Sequence, residues 1–388
     1  MQQGFNPQIL SEDVQKYINA NLQTDLHSLL LKKSPFGGVT MSEIVQQIKG
    51  RNVAARKFPF LLKDGIVFPP NLNLEQASSQ ATAEFKSKDL RGNTFLDLTA
   101  GFGIDAYFLS QNFDEVTLVE QNAVLSETVK HNWQVLGRNA NFCIENLESF
   151  LARNSGPFDL VYLDPARRDL DKNKKFLLGD LSPNLLEIHA KLLQISRSII
   201  IKLSPLIDIS YLISVLPRIT KIQIIAVRND VKELLVFISL DAGSNDVQIS
   251  CVNLESDEAV FNFNFAEEKS AVADYSEPLA YIFIPNNSVL KSGAFSLTSE
   301  KFGLRKFHPN SHFYTSNTSV ADFPGRMLKA ERIDSKQIKK SEKFNIISKN
   351  YPLSPDEIKK KYKISDGGEN YLIFTQTING KVILKSSE

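Results

Sequence analysis

The chain has 388 residues, 45 of them Lys or Arg and 44 Asp or Glu, for a formal net charge of +1, and 42% of it is hydrophobic. That length exceeds one ordinary core and predicts two or three domains, while the near-neutral balance excludes a nucleic-acid partner held by the whole surface and leaves only a local basic patch for one. No apolar run is long enough to span a bilayer, and Met1 to Leu10 lack the basic start and apolar core of a signal peptide, so a cytoplasmic location is expected. Cys143 and Cys251 stand alone in apolar runs, which supports neither a disulfide framework nor a thiolate metal site. His308 and His312 are four apart, but Pro309 between them argues against a shared helical face, and no metal is expected.

Residues 1–74 read as a small helical domain. Ser11 and Thr24 are candidate N-caps, and Thr40-Met-Ser-Glu43 forms a capping box ahead of Ile44, Val45 and Ile48, with Gly50 expected to stop that helix. Pro69-Pro70 breaks the chain before a continuous helix over 74–85, rich in Gln and Ser.

From Thr94 strand and helix alternate. Short β-branched or aromatic runs at 94–98, 116–120, 140–144, 158–163 and 198–203 suit a sheet buried on both faces. Helices are expected at 104–111, 122–136 (closed by Gly137), 147–153 and 183–195, where Ser182-Pro183 supplies a cap and a first-turn proline. A helix over 209–216 leads to a strand at 221–227. Only a few residues around Asn229-Asp230 separate that strand from 233–239, too few for a crossover helix, so the last of seven strands is expected to return antiparallel as a hairpin. The fold class is therefore α/β, a doubly wound Rossmann-like sheet flanked by an N-terminal helical domain and C-terminal α+β modules.

Beyond residue 241 the texture changes. Phe261-Asn-Phe-Asn-Phe265 alternates strictly, 281–284 reads as a strand, 289–302 as one helix and 312–314 as extended, together a small α+β module. Between Arg326 and Lys363 there are about twelve Lys and Arg against five Asp and Glu, roughly +7 in a chain otherwise slightly acidic. Within this stretch Ser354-Pro-Asp-Glu357 is a capping box, and Ile378-Asn-Gly-Lys381 further on is expected to form a type I′ hairpin, so the tail is a folded module.

The centre of the chain is the stretch from Phe95 to Asp105. A strand runs into Gly101 and Gly103 and then opens a helix, a turn that lets a ligand approach the backbone closely. Gly101-Phe-Gly103-Ile-Asp-Ala106 satisfies G-x-G-x-x-A, with Glu120 at a distance suited to a ribose, so a nicotinamide dinucleotide is one reading. Three features favour S-adenosylmethionine instead: Asp97 at the strand end, which suits a cationic amino-acid group and would repel a pyrophosphate; Asp164-Pro165 at the carboxyl edge of the fourth strand; and the closing hairpin strand.

On these residues the chain resembles the class I S-adenosylmethionine-dependent methyltransferases over about residues 75–240: Asp97, Gly101 and Gly103 match their first motif, Glu120 their ribose-binding acid and Asp164-Pro165 the start of their fourth. More narrowly, Glu75-Gln-Ala-Ser-Ser79, Asp164-Pro-Ala-Arg-Arg168, Pro324-Gly325 and Asp366-Gly-Gly368 are similar to bacterial methyltransferases with a ferredoxin-like module and a C-terminal THUMP-like domain. The resemblance implies a helical domain over 1–74, a methyltransferase domain over 75–241, a ferredoxin-like module over 242–318 and a THUMP-like module over 319–388.

It also implies site roles. Asp97 would bind the methionine ammonium beside Ala100, Gly101 and Gly103, or else cap the next turn; Glu120 would accept the ribose hydroxyls, or stand as a solvated strand end. Asn146 occupies the place of an acid that hydrogen-bonds the adenine amine, and the helix around Gln76 and Ser79 would cover the cofactor. Asp164 is the expected reaction centre, aligning the acceptor and taking its proton. Relatives that methylate base amines continue with a second proline and an aromatic; Pro165-Ala166-Arg167 lacks them, which argues against such an acceptor. Lys202-Leu-Ser-Pro205 contains no thiol, which argues against cysteine-dependent carbon methylation. Arg167 and Arg168 would clamp an acceptor phosphate, unless Asp169 and Asp171 neutralise them, and Lys202 and Ser204 end the fifth strand facing the same cleft or supply ordinary strand-end polarity. The expected function is methylation of an RNA, tRNA or rRNA, held by the C-terminal modules. Methylation of a protein or small molecule, and RNA binding without catalysis, are the rivals.

Overall fold

The computed structural model describes residues 4–167, 178–241 and 246–386. Two compact units divide the chain: Met1–Thr220 with Leu235–Gly243, and Lys221–Leu234 with Ser244–Glu388.

The first unit begins with helices α1 (Glu12–Ala20), α2 (Leu26–Leu30) and α3 (Met41–Lys57) packed around Ile18, Leu29, Ile44 and Ile48. Ser11 precedes α1 without a side-chain bond to it, while α2 is capped by Asp25, which accepts from Ser28 N, and not by Thr24. The Thr40–Glu43 capping box is present, but α3 runs through Gly50 to Lys57, because Gly50 is a contact point: a Cβ there would lie 2.2 Å from Phe68 Cβ. The single helix expected over 74–85 is two, α4 (Asn71–Gln76) and α5 (Gln80–Ser87), since Ser79 turns its hydroxyl to Thr82 N and starts a new helix.

The α/β part follows as β1 (Gly92–Asp97), α6 (Ile104–Leu109), β2 (Phe113–Val119), α7 (Ala123–Val135), β3 (Asn141–Cys143), α8 (Leu147–Arg153), β4 (Phe158–Leu163), the short β5 (Ala166–Arg167) and β6 (Leu181–Ser182), α9 (Leu185–Ile195), β7 (Ser196–Leu203) and α10 (Ile209–Val215). Strands β7, β4, β1, β2 and β3 lie side by side in that order, all parallel. Phe95, Leu96, Val161, Ile199 and Ile201 fill the sheet. Helix α9 starts at Leu185, capped by Asn184; Ser182, expected as the cap, pairs with Ala166 between β5 and β6. The register sets Asp97 beside Tyr162 and Tyr162 beside Ile200, so Asp97, Asp164 and Lys202 end neighbouring strands at one carboxyl edge.

Strands β8 (Ile219–Val227) and β9 (Asp230–Ser239) are joined through Arg228 and Asn229, both with positive φ (49° and 65°), as a tight hairpin requires. The sheet holds nine strands rather than the expected seven, with β10 (Gln248–Leu254) and β11 (Phe261–Asn264) extending the order to β11-β10-β8-β9-β7-β4-β1-β2-β3. The alternation of Phe261 and Phe263 with two asparagines, assigned above to a separate module, makes β11 a one-sided edge strand on β10: both phenylalanines are buried and both asparagines exposed.

The second unit continues with α11 (Glu267–Ser270), β12 (Tyr281–Pro285), α12 (Asn287–Ser292), α13 (Phe295–Lys301), β13 (Arg305–His308), β14 (Ser311–Ser316), β15 (Gly325–Arg332), β16 (Lys343–Ser348), α14 (Pro355–Tyr362), β17 (Ser365–Thr377) and β18 (Gly380–Ser386). Gly293, left-handed at φ 78°, splits the helix expected over 289–302 into α12 and α13. One seven-stranded sheet, β13-β14-β12-β15-β18-β17-β16, carries this part, with the Ser354–Glu357 capping box in place on α14. The hairpin between β17 and β18 forms, but Ile378 and Asn379 are absent from the positive-φ residues, so its turn is not type I′. Among the described residues no helix is long and apolar enough to cross a membrane.

Candidate functional site

At the carboxyl edge of the parallel strands lies a cleft of about 390 Å³. Gln76, Asp97, Ala100, Gly101, Gly103, Glu120, Asn146, Asp164 and Lys202 from the sequence reading all line it, together with Ser78, Thr99, Asp105 and Tyr162. Pro165 is buried beside the cleft without lining it. Ser79 is occupied as the cap of α5 and Ser204 accepts from Leu206 N; neither lines the cleft. Ala166 lines the rim and the Arg167 backbone pairs with Leu181, but the Arg167 side chain and Arg168, Asp169 and Asp171 lie outside what is described.

The turn after β1 is built from its own backbone. Leu98 N donates to Tyr162 O and Ala100 N to Val119 O, which ties the turn to the two flanking strands. Gly101 adopts φ 52° with its nearest foreign atom, Thr99 O, 3.8 Å from where a Cβ would sit, so space is open above it. Gly103 at φ 72° is the opposite case: a Cβ there would lie 2.7 Å from Val129 Cγ1 on α7. One glycine therefore admits a ligand and the other admits a helix. Glu120 joins the turn to β2, accepting from Gly101 N at 3.0 Å and Asn122 N at 2.7 Å, and each carboxylate oxygen keeps a lone pair for a hydroxyl. Asn146 caps α8 by accepting from Ser149 N at 2.7 Å, with the same remaining capacity.

Two electrostatic settings share the cleft. The first is a chain of alternating charge, buried except at Asp164, whose side chain is 35% exposed. Asp164 pairs with Lys202, Lys202 lies 3.3 Å from Asp105 Oδ2, and Asp105 Oδ1 is 2.6 Å from Lys86 Nζ. Ser78 sits among them, donating to Asp105 at 2.7 Å while accepting from Lys86 at 2.8 Å and Lys202 at 3.1 Å; the Tyr162 hydroxyl donates to Asp105 at 2.7 Å. Burial pushes the Asp105 carboxyl up, but Lys86 and Lys202 outweigh it and hold the group below the usual carboxylate range. Asp164 is raised, by burial first, with Lys202 opposing and Asp105 reinforcing. With two carboxylates and two ammoniums, this chain balances itself.

Asp97 is the second setting. It is 1% exposed, accepts from Thr99 N at 2.8 Å, and forms no ion pair among the described residues. Burial, aided by the charges of Asp105 and Asp164, pushes its carboxyl up to about 8. Thr99 bridges the two settings, since its hydroxyl also accepts from Asp164 N at 2.7 Å. A buried carboxyl with no cation beside it among the described residues, next to an open glycine turn, fits a ligand that brings a positive charge and does not fit a pyrophosphate.

Ser78, Lys86, Thr99, Asp105 and Tyr162 carry no role in the sequence reading. Asp105 stood inside the quoted glycine motif. Lys86, eight residues from Ser78, looks in sequence like any polar helix position, and only the break between α4 and α5 brings the two together.

The chain matches three family models: Conserved hypothetical protein 95 over residues 79–178, a ferredoxin-like domain over 281–324 and a THUMP domain-like model over 326–385. No curated protein matches it. Among solved structures it is similar to a "putative methyltransferase" from Porphyromonas gingivalis W83, with a TM-score of 0.86 and 29% identity over 99% of this chain and 98% of that one. Weaker likenesses are a Streptococcus mutans "putative methyltransferase" in complex with SAH (14% identity, 41% of this chain and 94% of that one, TM-score 0.31) and a Pyrococcus abyssi tRNA (uracil-54, C5)-methyltransferase in complex with S-adenosyl-L-homocysteine (18%, 42% and 38%, TM-score 0.30). The chain thus carries a methyltransferase-like domain followed by a ferredoxin-like domain and a THUMP-like domain, and over 99% of its length it shares the fold of the Porphyromonas gingivalis "putative methyltransferase".

Proposed function

We propose that the chain is an S-adenosylmethionine-dependent methyltransferase whose acceptor is an RNA, tRNA or rRNA, engaged by the ferredoxin-like and THUMP-like modules. The observation that carries the cofactor assignment is Asp97, a buried carboxyl with no ion pair among the described residues, set beside the open turn at Gly101 and the Glu120 carboxylate. In this reading Asp97 takes the ammonium of the methionine moiety, the turn at Ala100 and Gly101 lies along it, and Glu120 accepts the ribose hydroxyls. Asn146 faces the adenine, and Gln76 at the end of α4 covers the site. The cofactor supplies an electrophilic methyl group on a sulfonium.

Asp164 aligns the acceptor and receives the proton that leaves it, a task suited to a carboxyl only about a third exposed and raised above its ordinary range. Lys202 fixes the orientation of Asp164 through their ion pair, and the buried Pro165 shapes the wall behind it. The RNA assignment is supported by the THUMP domain-like match and by the basic stretch over 326–363.

The test is transfer of tritiated methyl groups into RNA and protein from cells lacking the gene. The expected label appears in RNA, and Asp164→Ala lowers it by about 100-fold or more while cofactor binding persists. Label confined to protein overturns the acceptor, and loss of binding together with turnover in Asp164→Ala overturns its role.

A further inference from the structure

The second unit contains a groove of about 460 Å³. Its apolar part is Ile333 and Ile383, tied together by Ile333 N donating to Ile383 O at 3.0 Å, while Val382 between the neighbouring lysine and Ile383 is 2% exposed and packs into the core. Two aromatic rings line it, Tyr351 and Tyr362. Both pack on Phe374, Tyr362 in a stacked arrangement at 5.7 Å and Tyr351 edge-on at 5.3 Å, so the core sets their orientation in advance. Over each ring stands a lysine: Lys361 Nζ is 5.2 Å from the Tyr362 ring centre and Lys381 Nζ 5.9 Å from that of Tyr351.

The remaining charges on the lining are already committed. Arg332 pairs with Glu277 at 3.3 Å, and Asp334 caps its own turn by accepting from Lys336 N at 2.8 Å. Lys361 and Lys381 form no ion pair among the described residues, although both are exposed. The neighbouring Lys359 differs, being engaged by Asp356 and Asp366 at 2.7 Å each. Two cations without acids among the described residues, each over a half-buried ring and near Ile333 and Ile383, match an extended ligand that alternates anionic groups with flat apolar faces. Single-stranded nucleic acid has that pattern, its phosphates meeting ammoniums and its bases meeting rings.

The geometry points to this groove as a binding site for single-stranded RNA, with bases against Tyr351 and Tyr362 and phosphates at Lys361 and Lys381. The inference rests on the RNA reading above and locates one of its contacts. The two residue pairs have separable signatures. Stacking carries little charge, so losing a ring weakens binding equally at all salt concentrations, whereas losing a phosphate contact flattens the salt dependence by about 0.7 in log–log slope for a single strand.

The test is fluorescence anisotropy of a short labelled single-stranded RNA with the full-length protein, titrated at salt concentrations from about 50 to 200 mM. Tyr351→Ala and Tyr362→Ala are each expected to weaken binding by roughly 10-fold or more at unchanged slope. Lys361→Gln with Lys381→Gln is expected to flatten the slope. Because both rings touch Phe374, Tyr351→Phe and Tyr362→Phe serve as the fold-preserving pair and should keep affinity. Salt-dependent binding by the unaltered protein that none of these variants changes overturns the groove and leaves the RNA reading standing. No RNA binding at all overturns both, and equal binding of a polyglutamate peptide overturns the choice of nucleic acid as the ligand.

Discussion

Asp97 holds its proton because burial makes the charged form expensive, and that fixes the sign of two measurable effects. Its folded-state value of about 8 lies above the ordinary 3.8, so between these values the native state keeps a proton that the unfolded chain has released. Its contribution to stability is therefore fully present below about pH 4 and is lost as pH rises toward 8. A cationic ligand removes this cost, so the rise in Tm caused by S-adenosylmethionine should grow with pH across that window; thermal melts with and without ligand at several pH values check it. Asp97→Asn keeps the acceptor for Thr99 N and removes the carboxylate. It should stabilise the free protein near neutral pH while weakening cofactor binding by about 3 kcal/mol, the loss expected for one partner of a buried charge pair. At this scale the gathering of Asp97, the glycines, Glu120 and Asp164 around one cleft was readable, because motif spacing is local. It was not readable for Ser78, Lys86 and Tyr162, whose roles depend on which strand and helix ends meet.

The glycine turn separates into two jobs. Gly103→Ala places a Cβ 2.7 Å from Val129 Cγ1 on α7 and should lower stability by about 1–3 kcal/mol. Gly101→Ala meets only open space, so its stability cost should stay near 1 kcal/mol, from φ 52° alone, with cofactor affinity taking the larger loss. Denaturant melts paired with calorimetry distinguish these patterns. The buried pair Lys86–Asp105 clasps α5 to α6, with Lys86 3% and Asp105 8% exposed. Lys86→Met should destabilise by about 3 kcal/mol by taking the nearer of its two cations from Asp105 and leaving it Lys202 at 3.3 Å, and adding Asp105→Asn should restore part of the loss, a non-additivity that a double-mutant cycle measures. Capping boxes at Thr40 and Ser354 were legible because cap chemistry is local. The passage of α3 through Gly50 and the break before α5 were not, since one follows from Phe68 across the core and the other from a single hydroxyl bond.

Across the molecule, the parallel strand order that gathers the site follows from alternating strands and helices, which the sequence states plainly. The two added strands do not follow from it, because β11 is a short alternating edge strand that reads equally well as part of a separate module. The parallel sheet's carboxyl edge brings a self-balanced charge chain and one unbalanced acid into a single cleft, and the choice of cofactor depends on that asymmetry. Isothermal titration with S-adenosylmethionine and, separately, with NAD tests it most directly. Saturable heat with S-adenosylmethionine that Asp97→Asn weakens by roughly 100-fold in affinity, and none with NAD, is the predicted result; saturable binding of NAD with no heat from S-adenosylmethionine would contradict the account.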